Sequence, residues 1–248
     1  MRRAIPVSAV ALFLLAATAV QAAPPGRMTF TETFDENNNT GGWTLGNPFL
    51  EAIDTTGGNP GAFLHFPDLD TFAPQPRTTV AGSVFTGNYR DQGVSSVGID
   101  LVLYHVDFSS ADRPLSLVLR SDGGTPDDFS DDCAVYVIGN KASPAPNGRW
   151  KTYRFKVPSD SPALPRGWNV LDCGSSTPDE AWDRVIQDVD QLSFFVGDPT
   201  LFFIFQVWDI GMDNPTITWG TTQRTLPPAG FEVDGADLAA GTPSLPLR

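Results

Sequence analysis

Histidine is nearly absent from this chain: there are two in 248 residues, His65 and His105. A Ser-His-Asp triad would have to use one of them. Transition-metal catalysis, which relies on imidazole and thiolate ligands, loses most of its donors. No His-Glu-x-x-His, Cys-x-x-Cys, Gly-x-Ser-x-Gly or glycine-rich phosphate loop occurs. Cations are scarce as well. Sixteen Lys and Arg stand against 29 Asp and Glu, for a net charge of −13 and a pI near 4.3. Nucleic acid and anionic membranes would repel such a chain, so neither is expected as a partner. Both histidines fall in strand-like runs and read as ordinary strand residues.

The chain has one long apolar run. Residues 7–20 are apolar but for Ser8 and Thr18, with Arg2 and Arg3 ahead and Val20-Gln21-Ala22 behind. A short apolar core between basic residues and a small-residue cleavage site reads as a secretory signal over residues 1–22. Its length suits a cleaved peptide better than an anchor, so no membrane span is expected after cleavage. The expected location is secreted, periplasmic or extracellular. Cysteine is limited to Cys133 and Cys173. In an oxidising compartment an even count predicts one disulfide. That bridge would close a loop of about 40 residues, worth roughly 4 kcal/mol on chain-entropy grounds.

Glycine (23) and proline (22) are plentiful, while aromatics make up 11% of the chain, so it is turn-rich without being disordered. The dominant period is two. Residues 28–34 alternate apolar and polar, and 115–120 do so through Leu115, Leu117 and Leu119. Further strand candidates are 43–45, 62–66, 78–85, 97–108, 134–138, 150–157, 191–196, 201–208 and 215–219. Ten or eleven strands separated by Gly, Pro, Asp and Asn predict an all-β, antiparallel jelly-roll β-sandwich over residues 23–223. One short helix is legible. Thr177-Pro178-Asp179-Glu180 offers a capping box with proline at the first helical position, and Trp182, Val185, Ile186 and Val189 follow at helical spacing. Residues 224–248 lose all pattern and read as an irregular tail.

Three segments carry a resemblance. Phe85-Thr86-Gly87-Asn88 with Ser95-Ser96-Val97-Gly98-Ile99-Asp100-Leu101-Val102-Leu103-Tyr104 resembles the laminin B (laminin IV type A) module. Val207-Trp208-Asp209-Ile210-Gly211-Met212-Asp213-Asn214-Pro215-Thr216-Ile217 resembles the closing strand of galactose-binding-like β-sandwiches. The opening Phe30-Thr31-Glu32-Thr33-Phe34-Asp35, leading to Gly42-Trp43, is similar to the same class. The resemblance implies a non-catalytic binding or adhesion module. It also implies a structural calcium between first and last strands, with Glu32 and Asp213 as ligands; Asp35 and Asn37 in the adjoining loop are further candidate donors. Calcium takes six to eight hard oxygens, which such a pair plus loop carbonyls can supply.

Of the six tryptophans, Trp43, Trp182, Trp208 and Trp219 sit in strand or helix contexts and are assigned to the core. Trp168, in a stretch without period, and Tyr89 with Arg90, in a second loop, are the candidate ligand contacts, because sugar rings stack on exposed aromatics. The acidic stretch 122–132 reads as a solvated loop tethered by Cys133. The leading expectation is a secreted, non-catalytic binding or adhesion module. Its candidate partner is a glycan or an extracellular matrix or envelope component. The alternatives are a polysaccharide-acting hydrolase using paired carboxylates and a purely structural envelope protein.

Overall fold

The computed structural model describes residues 26–36, 39–46, 51–110, 113–125, 127–128 and 131–220. The signal segment, the boundary near Gln223, the tail and Asn37 lie outside the described residues. Twelve strands and two helices follow in order: β1 (Arg27–Thr31), β2 (Trp43–Thr44), β3 (Ala52–Gly58), β4 (Gly61–Thr71), β5 (Arg77–Thr78), α1 (Tyr89–Gln92), β6 (Val94–Val106), β7 (Pro114–Ser121), β8 (Cys133–Ala142), β9 (Lys151–Lys156), β10 (Trp168–Asp172), α2 (Pro178–Gln187), β11 (Gln191–Val196) and β12 (Gln206–Gly220). They form two six-stranded antiparallel sheets packed face to face, as the strand spacing predicts. The first runs β3-β4-β12-β6-β9 with β1 also on β12; the second runs β10-β8-β7-β11-β5-β2.

Alternation decides which residues enter the space between the sheets. Leu64 and Phe66 of β4, Ile99, Leu101 and Leu103 of β6, and Ile210 and Met212 of β12 belong to one buried cluster with Leu117, Leu119, Leu192 and Phe194 of the second sheet. β12 keeps both halves of its length in this core by changing parity. Trp208, Ile210 and Met212 face inward, and so do Ile217 and Trp219. The register shifts between Asp213 and Thr216, where Asn214 takes a left-handed conformation (φ 49°). One extra residue at a bulge swaps the faces, so both halves stay apolar inward.

The helix at Pro178–Gln187 forms with its capping box intact, Thr177 and Glu180 exchanging side-chain and backbone hydrogen bonds. Trp182, Val185 and Ile186 bury its inner face. Trp43, Trp182, Trp208 and Trp219 are all buried. Cys133 and Cys173 form the expected disulfide, tying the start of β8 to the segment between β10 and α2.

Several strand expectations change. Residues 201–208 do not form a strand of that length, because β12 begins at Gln206. Leu201, Phe202, Ile204 and Phe205 stay exposed in an irregular segment, with Phe202 and Phe205 packing on Phe72 at ring-centroid distances of 5.5 and 4.0 Å. The apolar run there serves a surface cluster instead of the inter-sheet core. Of 78–85, only Thr78 is in a strand, and the chain then turns into the short helix α1, which was not expected. β3 was also missed, since Asp54, Thr55, Thr56 and two glycines give it no apolar period.

Replacing both Cys133 and Cys173 by alanine should lower the free energy of unfolding by about 4 kcal/mol, the chain-entropy value for a 40-residue separation. Equilibrium urea unfolding checks this; an unchanged midpoint would mean that the bridge adds nothing to stability.

Candidate functional site

The outer face of the first sheet holds a row of four rings. Because Leu64 points inward, Phe63 and His65 of β4 point outward. By the same rule Val102 and Tyr104 of β6 and Asp209 and Gly211 of β12 share that face, as their registry confirms: His65 pairs with Gly211, and Gly211 with Val102. Trp150, which leads into β9, reaches over from the edge. Its ring meets Phe63 edge-on at 5.3 Å, Phe63 lies 5.3 Å from His65, and His65 lies 5.5 Å from Tyr104. The Trp150 Nε1–H donates to the Gly57 carbonyl at 2.9 Å, which fixes the indole against the end of β3. Gly211 is required beneath this row. A Cβ there would stand 2.6 Å from the Phe63 ring and 2.9 Å from Val102. Phe63 is buried under its neighbours, whereas Tyr104 is 37% exposed and Trp150 half-buried.

Two carboxylates grip His65. Asp54 Oδ2 of β3 lies 2.7 Å from Nδ1, and Asp209 Oδ1 of β12 lies 2.7 Å from Nε2. Both bonds are made at once only when the ring carries both protons. Each carboxylate engages the ring through one oxygen and keeps a second as an acceptor. The Asp54 and Asp209 side chains are 48% and 30% exposed. Their charge is felt next door: the Tyr104 phenol is raised above its ordinary value, first by burial and then by Asp209 and Asp54. The site therefore offers aromatic surface with acceptor oxygens at its centre. Sequence reading passed over these residues, although one signal was available. In a strand whose core register is Leu64 and Phe66, a Phe and a His on the opposite face lack a core role.

The expected contacts lie elsewhere and are otherwise occupied. Trp168 opens β10 and is buried, its ring 5.0 Å from Trp182. Tyr89 is fully buried, and its hydroxyl donates to the Phe85 carbonyl at 2.6 Å. Arg90 donates to the carbonyls of Ser159 and Ser161 and pairs with Asp183 of α2. These residues stitch α1 and a loop to α2. Trp168 thus lies in β10 and Tyr89 and Arg90 in α1, and none of the three joins the ring row.

The acidic residues suggested for calcium each have hydrogen-bond partners within the protein. Asp213 is fully buried at the β12 bulge, its oxygens accepting the Asn59 and Asn214 N–H groups at 2.6 and 2.7 Å. Burial pushes its carboxyl up to about 7, with Asp100 and Asp35 adding like charge. Asp35 accepts from the Ala62 N–H at 2.8 Å, and Asp100 Oδ2 accepts from the Asn59 and Asn214 amides. Asp100 Oδ1 is buried without a hydrogen-bond partner among the described residues, which is the kind of oxygen a cation takes up. Glu32 turns to its own loop, accepting from the Phe34 N–H at 3.2 Å. Among the described residues no three His, Cys, Asp or Glu side chains are arranged to hold a metal as they stand.

A cleft of about 580 Å³ lies on the other sheet, bounded by Arg120, Asp122, Asp132, Asp188 and Asp190 with Thr79 and Thr86. Asp190 accepts the Asp122 N–H at 2.9 Å. Burial pushes its carboxyl up to about 6, helped by the neighbouring Asp188 and Asp122.

Several solved structures are similar to the chain. One is a conserved carbohydrate esterase from the Shiga toxin-encoding bacteriophage phi24B, with 12% identity over 79% of this chain and 100% of that one and a TM-score of 0.40. Another is a xylan-binding domain of CBM 22, with 10% identity over 82% and 99% and a TM-score of 0.37. A third is a CBM28 module specific for non-crystalline cellulose, with 12% identity over 79% and 93% and a TM-score of 0.31. No family model and no curated protein matches the chain.

The raised Asp190 sets a pH dependence. The folded protein keeps this proton up to about pH 6, while the unfolded chain releases it near the ordinary 3.8. Protons favour the folded state in that window, so its contribution to stability falls as pH rises from about 4 to about 6. Asp190→Asn should flatten the thermal midpoint across that range relative to the parent. Parallel curves would contradict the assignment.

Proposed function

We propose that this protein is a secreted, non-catalytic carbohydrate-binding module whose ligand lies across the outer face of the first sheet, on Trp150, Tyr104, Asp54 and Asp209. The observation that carries this reading is the ring row with acceptor carboxylates at its centre. Sugars present apolar C–H faces and pairs of hydroxyl donors, and such a surface complements both. The rings ride on paired strands, so little ordering entropy is lost when a ligand binds. The contact surface thus moves from Trp168, Tyr89 and Arg90 to this face. Binding is favoured over hydrolysis because Asp54 and Asp209 face each other through the His65 imidazole. Two catalytic acids need open space between them for a sugar bond.

Export is supported by the disulfide, which persists in oxidising compartments, and by the signal-like residues 1–22. No helix among the described residues is long and apolar enough to cross a membrane. The resemblance to galactose-binding-like sandwiches, and the narrower one to the laminin B module, belong to this proposal and rest on the residue matches. So does a structural calcium at Asp213, Asp35 and Glu32. Its support is the crowding of Asp35 and Asp100 on Asp213 and the unpartnered Asp100 oxygen, and it needs the Glu32 carboxylate to turn from its loop.

Trp150→Ala and Tyr104→Ala should each weaken binding to the best glycan found on an array by about tenfold or more, with folding intact by near-ultraviolet circular dichroism. Undiminished binding by both variants would remove this face as the site. For the calcium, metal-stripped protein should melt at a higher temperature once calcium is restored; superimposable melts with calcium and with EGTA would end that proposal.

A further inference from the structure

The charge around the ring row carries a statement about which sugars fit. The strands under the row bring several ionisable groups to this face. β3 gives Asp54, β4 gives His65, β12 gives Asp209, and β6 gives Tyr104 and His105, which stands opposite Asp209 and lies 3.2 Å from Asp107. With the imidazole doubly protonated, the Asp54–His65–Asp209 trio carries −1; with it neutral, −2. The trio is negative in either form. His65 has no free nitrogen to offer an anion, since both ring positions are engaged by carboxylates. Arg154 and Lys156, the cations on the same face of β9, stand beside Gly98 and Ser96 at the far end of β6. Gly98 is six strand residues from Tyr104, roughly 20 Å, about two screening lengths at physiological salt. Arg149 and Lys151 flank Trp150 in sequence, so positive charge gathers at the Trp150 edge of the row and negative charge at Asp54 and Asp209. The whole chain, at −13, adds repulsion of the same sign.

We infer that this face selects uncharged, hydroxyl-bearing sugar chains and rejects polyuronates and sulfated glycans. The inference rests on the carbohydrate-binding reading above and sharpens it to a ligand class. Specificity is a difference of affinities, and a fixed like charge is one of its most direct sources. The free oxygens of Asp54 and Asp209 accept from sugar hydroxyls, whereas a sugar carboxylate or sulfate brought to the same distance meets two negative groups.

The test is calorimetric titration of the full chain at physiological salt against matched hexasaccharides. The neutral set comprises β-glucan, xylan and mannan fragments, and the anionic set comprises oligogalacturonate, oligoalginate and a heparin fragment. Neutral chains should bind, with every anionic chain at least about tenfold weaker. Raising the salt should narrow that gap in the parent protein, which needs no variant to fold. The Asp54→Asn, Asp209→Asn double variant should raise the anionic-to-neutral affinity ratio. Anionic binding equal to or tighter than neutral binding, or a gap unmoved by salt, overturns the inference and leaves the carbohydrate-binding reading standing. Failure of all chains to bind overturns that reading and this inference with it.

Discussion

β12 bears on more of this molecule than any other strand. It pairs with β6 along one side, and with β4 and then β1 along the other. Its alternation supplies Trp208, Ile210 and Met212 to the core and, on the reverse face, Asp209 and Gly211 to the ring row. These are two consequences of one register. A slip of one residue would bury Asp209 between the sheets and expose Ile210. The core therefore enforces the site: burial of roughly 2 kcal/mol per large apolar side chain holds the outward residues in their places.

The same strand explains where the buried charge lies. At its bulge the chain reverses face, and Asp213 is left fully buried beside Asp100 and Asp35. Backbone and amide N–H groups from the β3–β4 turn and from Asn214 satisfy most of these oxygens. Buried carboxylates persist where donors surround them. The two acidic places on this sheet thus differ in kind. The bulge holds carboxylates under cover, and the ring row holds them half in water, where they can meet a ligand.

Local signals were the legible ones. Thr177, Pro178 and Glu180 marked a helix start that the structure reproduces, because a capping box acts within four residues. The only two cysteines left one possible intramolecular pairing. Core tryptophans followed from their strand context. Trp168 and Tyr89 show no local period, yet Trp168 opens β10 against Trp182 of α2 and Tyr89 opens α1, both buried, because what covers such a stretch comes from elsewhere in the chain. Phe202 and Phe205 failed in the opposite sense, since an apolar run reads as a buried strand whether or not a partner strand exists.

The sequence by itself determined the strand period, the helix, the bridge and the acidic character, all of which follow from composition or from neighbours a few residues apart. Tertiary structure alone decided that Asp54, His65, Tyr104, Trp150 and Asp209 would meet. They come from four strands and an edge segment, and Asp54 is 155 residues from Asp209. Period two states which face a side chain takes, but not which strand lies beside it. Neighbour choice is settled by long-range pairing and by the fit of the inter-sheet core.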